Sequence, residues 1–196
     1  MILWLFVTAK GQTEISLNVP IEYTNIPSGL EITRHTARTA NIVIRGHESI
    51  LKNIKQRNVS VNVDLSKAKK GEGTFQIRKD DVKVPLAVSI TKVEPLSVKI
   101  IFEETVSKTV GIKPFISGSP ENGYYVKTID VKPKDVVIEG AKSEVRRVGF
   151  VRTEQIDITG LTEGLKQEVG LDAGGGNIRL KIEKADVSIV IERRGK

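Results

Sequence analysis

A pattern repeated with a period of about 90 residues constrains this chain more than any other feature of its sequence. Asn41-Ile42-Val43-Ile44-Arg45-Gly46 is followed by Ile50, Leu51 and Ile54, then by Val59-Ser60-Val61-Asn62-Val63-Asp64-Leu65. Asp135-Val136-Val137-Ile138-Glu139-Gly140 is followed by Val145 and Val148, then by Glu154-Gln155-Ile156-Asp157-Ile158. The halves end alike, Val93 to Ile100 against Ile182 to Ile189. They also begin alike, Val19-Pro20-Ile21 ahead of Pro27 and Gly29 against Ile112-Lys113-Pro114 ahead of Pro120 and Gly123. At 196 residues the length alone allows one large domain or two small ones. The repeat selects two.

Alternation identifies most of these pieces as strands, because successive side chains of a strand point to opposite faces. Val59, Val61, Val63 and Leu65 alternate with Ser60, Asn62 and Asp64, and Ile178, Leu180 and Ile182 with Arg179, Lys181 and Glu183; Ile15, Leu17, Val19 and Ile21 follow the same rule. Ile42-Val43-Ile44 and Val136-Val137-Ile138 are apolar throughout, as central strands are. Helical spacing occurs only in Glu48 to Lys55 and in Ser143 to Val148, so each unit has one short covering helix. Each helix follows a strand that ends in glycine, Gly46 or Gly140, and a sharp turn at positive φ is the expected reason. Further turns are expected at Pro27-Ser28-Gly29, Lys70-Gly71-Glu72-Gly73 and Glu121-Asn122-Gly123, with a hairpin loop at Ala173 to Asn177. Glu103 to Ser107 carries no turn residue, so the chain should pass extended from one unit to the next. The fold class is mainly β. A hydrophobic content of 39%, led by valine and isoleucine, with 28% charged and 5% aromatic residues, gives each unit a thin core.

The inventory for catalysis is poor. With no cysteine there is no thiol nucleophile and no disulfide, and two isolated histidines, His35 and His47, do not make the usual zinc sets. Asp80-Asp81 and Glu103-Glu104 are adjacent pairs whose members point apart in extended chain. Gly174-Gly175-Gly176 is not followed by the Lys-Ser/Thr of a phosphate loop. No catalytic, cofactor-binding or metal-binding residue is assigned, no cofactor or small-molecule substrate is expected, and the chain is read as non-enzymatic. An enzyme acting on wall polymer would need a convergent acid–base pair, and Asp64 or Asp157, present in both repeats, would be the carboxylates to test. The net charge of +7 is dispersed among acidic residues and reads as solvated surface. RNA binding is therefore the alternative reading, with dispersed charge and the lack of regularly spaced aromatics against it. The opening Met1-Ile2-Leu3-Trp4-Leu5-Phe6-Val7 is too short to cross a membrane and lacks the marks of a secretory signal. It looks like the end of something longer. Leu3, Trp4, Leu5 and Phe6 are the candidate membrane-proximal residues, since tryptophan favours the headgroup region.

Asn18 to Leu30, "xVPIxYxNIPxGL", the "VxIRG" strand and helix from Val43 to Ile54, and "VxVDLS" from Val61 to Ser66 resemble a YbbR-like domain. The second half resembles another copy, from Gly118-x-Pro120-x-x-Gly123-Tyr124 and Val131-x-Pro133-x-x-Val136 to the closing strand. The resemblance implies two tandem β-rich domains, at 11–103 and 104–196, behind a remnant of a membrane segment at 1–10. It implies a fold related to a ribosomal 5S-RNA-associated domain and an N-terminal transmembrane helix carrying the repeats outside the cytoplasmic membrane. In one branch of the family it implies regulation of a membrane diadenylate cyclase. Most of that membrane helix is missing from this sequence, and only two repeats are present. The expected partner is a membrane protein such as that cyclase, with no nucleic acid.

Overall fold

The computed structural model describes residues 12–195, which form two compact units dividing between Glu104 and Thr105. The first contains β1 (Gln12–Thr24), β2 (Leu30–His35), β3 (Thr39–His47), α1 (Glu48–Leu51), β4 (Ser60–Asp64), β5 (Gly71–Gln76), β6 (Val82–Lys83) and β7 (Val88–Glu94). It closes with the opening residues of the long strand β8 (Ser97–Ser117), so the chain enters the second unit in extended conformation. The second unit continues with β9 (Tyr124–Lys132), β10 (Asp135–Ala141), α2 (Lys142–Arg147), β11 (Phe150–Asp157), β12 (Leu165–Asp172), β13 (Arg179–Leu180) and β14 (Lys184–Arg193).

Most of the pairing repeats as well, although β4 pairs with β6 in the first unit and its counterpart β11 pairs with β12 in the second. In the first unit β1 runs antiparallel to β3 and parallel to β4, β3 pairs with β7, and the start of β8 lies between β2 and β5. In the second, the later part of β8 runs antiparallel to β10 and parallel to β11, β10 pairs with β13, and β14 lies between β9 and β12. Even an irregularity recurs. Two residues of β2, Thr33 and Arg34, are spanned against the single step from Phe102 to Ile101, and β9 does the same against Ile191 and Val190. An extra residue of this kind bends a strand and strengthens its twist.

Each unit has its own core. Val19, Ile42, Ile44, Leu51, Val61, Leu65, Val98, Ile100 and Phe102 are buried in the first, and Val136, Ile138, Val145, Val151, Ile156, Val187 and Ile189 in the second. Each such aliphatic side chain contributes roughly 1.5–3 kcal/mol by leaving water. Ile42 and Ile44 stand on a strand with partners on both sides, as do Val136 and Ile138, which matches their unbroken apolar runs.

Five local expectations need correction. Gly46 and Gly140 do not have positive φ and lie within their strands. They are small because the chain comes close. A β-carbon at Gly46 would sit 3.4 Å from Leu51 of α1, and one at Gly140 would sit 2.8 Å from the carbonyl oxygen of Asn177. The helix of the first unit stops at Leu51, where Asn53 and Ile54 donate three residues back and the Asn53 side chain bonds the Ser49 carbonyl at 3.1 Å. Such side-chain bonds compete with the helix ladder. Gly71 and Gly73 belong to β5, which pairs with β8, and the Phe75 ring lies over Gly73 where a β-carbon would otherwise be. Ala173 to Asn177 is a crossing and not a hairpin, because β12 pairs with β11 and β14 while β13 pairs with β10. The alternating run around Ile178 to Glu183 keeps only two strand residues, with Ile182 exposed, since it lies on the outside of β10.

A candidate interaction surface

Leu3, Trp4, Leu5 and Phe6 lie outside the described residues. No helix of the described residues is long and apolar enough to cross a membrane.

The carboxylates present in both repeats are placed by the fold in matching turns. Asp64 ends β4, and its Oδ1 accepts from the Ser66 backbone N–H and from Asn25 Nδ2, both at 3.0 Å, while the Ser66 hydroxyl donates to Oδ2 at 2.9 Å. Asp157 ends β11 and accepts from the Thr159 N–H at 2.9 Å and its hydroxyl at 2.6 Å. Asn25 and the Ser66 donors hold Asp64 below the usual aspartate range, and Thr159 does so for Asp157. These are structural turn residues, with their oxygens engaged by their own loops. His47 contacts the Ser49 hydroxyl at 3.0 Å, and His35 contacts the Ala37 carbonyl at 3.0 Å and stacks at a tilt on Tyr23. Asp81 accepts from the Arg78 N–H at 2.7 Å.

Carboxylates gather most around Lys184. Its Nζ lies 2.8 Å from Glu168, and Glu154 and Glu183 add to the negative field, so the ammonium is held above its usual lysine value, chiefly by Glu168. The ammonium at its centre compensates part of this negative charge. Among the described residues no group of three or more His, Asp or Glu side chains is placed to hold a metal ion.

A different constellation stands out on the exposed side of β8 and β11. These strands run parallel, with Phe150 beside Gly111, Arg152 beside Lys113 and Gln155 beside Phe115. Outward positions on both strands therefore carry Lys113, Phe115, Phe150 and Arg152. Lys113 Nζ sits 4.1 Å from the centre of the Phe150 ring, and the Arg152 guanidinium lies 5.5 Å from Phe150 and 6.0 Å from Phe115. Phe115 is 44% exposed and Phe150 36%. Ring–cation contacts of this kind are worth roughly 0.5–1 kcal/mol each at exposed sites, enough to bias side-chain direction.

The backbone beneath is built for this. Between Arg152 and Gln155 the register slips, and buried Thr153 fills the bulge. Its hydroxyl accepts from the Phe115 N–H at 2.9 Å and donates to the Glu154 carbonyl at 2.8 Å, so the polar groups freed by the slip find partners. A bulge re-aims neighbouring side chains.

Neither Lys113 nor Arg152 forms an ion pair among the described residues. Asp172 stands opposite Arg152 in register, but its Oδ1 accepts the Gly174 N–H at 2.8 Å. Several other strand cations are paired with carboxylates: Arg45 with Glu14, Lys99 with Glu72, Lys127 with Glu192, and Arg179 with Glu139. Sequence reasoning missed this surface because its two aromatics lie far apart along the chain and only the parallel pairing of β8 with β11 joins them. The alternation of Lys113 and Phe115, and of Phe150 and Arg152, was the available signal.

A family model described as YbbR-like protein matches residues 19–102 and again residues 110–190. The CdaA regulatory protein CdaR of Bacillus subtilis (strain 168) is 22% identical over 160 residues, covering 79% of this chain and 32% of its own length. This chain thus spans about a third of that relative. The crystal structure of a YbbR-like protein from Streptococcus pneumoniae TIGR4 matches with a TM-score of 0.58 at 15% identity, over 96% of this chain and 99% of the other, which shows the shared fold. A YbbR-like domain from Listeria monocytogenes aligns over 48% of this chain and 95% of its own at 27% identity and a TM-score of 0.40.

Proposed function

Because the chain belongs to the YbbR-like family, matched twice in succession over most of its length, we propose that it is a non-enzymatic regulatory module that adjusts the activity of a membrane protein. The candidate partner is a diadenylate cyclase. In its full form the protein is held by an N-terminal membrane segment that includes Leu3, Trp4, Leu5 and Phe6, with both repeats on the extracytoplasmic side. The observation that carries this reading is the relationship to a protein whose own name makes it a regulator, CdaR, across both repeats. The two β units support it, since their repeated carboxylates are spent on turns, and the second unit exposes Phe115 and Phe150 beside Arg152, residue types enriched where proteins meet.

The test is co-expression of the full-length protein with the diadenylate cyclase of the same organism. Cyclic di-AMP in the cells should change with the module present, in either direction, and the cyclase should co-purify with it from membranes. Unchanged cyclic di-AMP together with absence of co-purification would remove the cyclase as partner.

A further inference from the structure

We infer that the Phe115, Arg152, Phe150 and Lys113 surface of the second unit is a docking site for an acidic peptide segment of a protein partner. The inference rests on the reading of the chain as an interaction module and adds where it binds and what chemistry it recognises.

Three observations carry it. The first is charge: both cations are held on an exposed sheet face against rings, neither forms an ion pair among the described residues, and the carboxylate opposite Arg152, Asp172, accepts from the Gly174 N–H. Their N–H donors are thus available to an incoming carboxylate, and a guanidinium can take one in bidentate fashion. The second is the rings. An aromatic side chain is negative over its face and positive at its edge. Here Lys113 and Arg152 are drawn to the faces, leaving edges that favour carboxylate oxygens and aliphatic side chains. That arrangement disfavours a nucleic acid, whose bases stack on open aromatic faces. The third is comparison with the other repeat. Counting back from the matched strand ends Thr24–Asp64 and Ser117–Asp157, and allowing for the bulge, Pro20 stands in place of Lys113, Glu22 in place of Phe115 and Ser60 in place of Arg152. The shared fold does not require this surface. Arginine and aromatic residues packed together are also the usual centres of binding energy.

The experiment uses the purified chain and a variant carrying Lys113→Gln, Phe150→Ala and Arg152→Gln, with thermal melts confirming that both fold. Backbone amide spectra are followed while adding, in separate series, a short glutamate-rich peptide with interspersed leucines, the same peptide with glutamine for glutamate, oligouridylate, and phosphatidylglycerol vesicles. The acidic peptide should shift signals at residues 111–115 and 150–155, bind about tenfold or more weakly to the variant, and weaken with added salt. The glutamine peptide should leave those signals in place. Equal binding of the acidic peptide by both proteins, no binding by either, or tighter binding of oligouridylate or vesicles at these residues would overturn the assignment. Placed in the cyclase co-expression assay, the variant separates the two ideas. If wild type and folded variant act equally on the cyclase, the surface is wrong and the module reading stands. If wild type has no effect there, the cyclase reading fails while the peptide titration still decides the surface.

Discussion

The two units share a topology, a matched bulge and matched Asp turns, yet they differ on the outward face of their parallel strand pair. In the first unit that face carries Pro20, Glu22, Ser60 and Asn62, and further along β1 the same face is polar against β3, where Ser16 and Asn18 accept from Asn41 at 2.7 and 3.1 Å and Glu14 holds Arg45. In the second it carries Phe115, Phe150, Lys113 and Arg152 over a bulge that the first unit lacks, where Ile21 to Thr24 pair with Val61 to Asp64 without interruption. A fold used twice needs its inward residues twice, because the cores must close. It leaves the outward residues free to diverge, and divergence there is where separate roles accumulate.

The largest effects should be the ones the units share. Ile44 and Ile138 occupy equivalent central positions and are fully buried. Ile44→Ala and Ile138→Ala should each cost about 2–5 kcal/mol in denaturant unfolding, through lost burial and the cavity left behind. A markedly smaller cost in one unit would mean that the repeats share shape and not energetics.

Next come positions where the same turn is made with different residues. Asn25 and Gly118 both follow the first strand of their unit with positive φ, 56° and 78°. A β-carbon at Gly118 would fall 2.1 Å from Thr159 Oγ1 and 3.0 Å from its backbone nitrogen. Gly118→Ala should therefore cost about 1–3 kcal/mol in thermal or denaturant melts, from strain at a special backbone conformation. Asn25→Gly should cost clearly less, since glycine accepts that φ and only the Asn25 side-chain bond is lost. Equal losses would show that the side-chain bond matters as much as the backbone. The paired strand glycines sharpen the contrast. Gly140→Ala should cost about 1–3 kcal/mol by overpacking against the Asn177 carbonyl, and Gly46→Ala less, because its nearest neighbours stand at 3.4 Å. A reversed order in melts would contradict the contact geometry.

Much of this was legible in the residues. Alternation marked Val59 to Leu65 as a half-buried strand, the runs at Ile42 and Val136 marked strands with a partner on each side though not the middle of their sheets, and the repeat itself set the number of units. Those signals are local, or periodic, and survive in one dimension. What the residues concealed depends on pairing between distant strands. Gly46 and Gly140 could be seen to matter, but their reason is the approach of Leu51 and of the Asn177 carbonyl, which only the packed structure supplies. Gly71 and Gly73 looked like a turn because glycine is the commonest turn residue, yet β8 recruits them into a sheet and the Phe75 ring fills the space above. The Phe115 and Phe150 surface was hidden for the same reason, since neither residue alone differs from an ordinary strand aromatic.

The smallest expected difference lies in the acid limb of stability. Asp64 and Asp157 both sit below the usual aspartate range in the folded chain. A carboxylate with a depressed folded value binds its proton more readily when unfolded, so its contribution is complete above the unfolded value and is lost as pH falls through the folded one. Both turns should therefore weaken below about pH 4. They should weaken unequally, because Asp64 accepts from Asn25 in addition to its own Ser66, while the position matching Asn25 is Gly118, which has no side chain to donate. Asp64→Asn and Asp157→Asn keep an acceptor oxygen and remove the titration, so melts across a pH series should show a flatter acid limb for both variants and more flattening for Asp64→Asn. Residual slope will persist in each, since Glu139 and Glu192 are also held low, by Lys181 with Arg179 and by Lys127 with Tyr125. Equal flattening would mean that the Asn25 bond adds nothing to the turn, and that the two units, different in this residue, are the same in its effect.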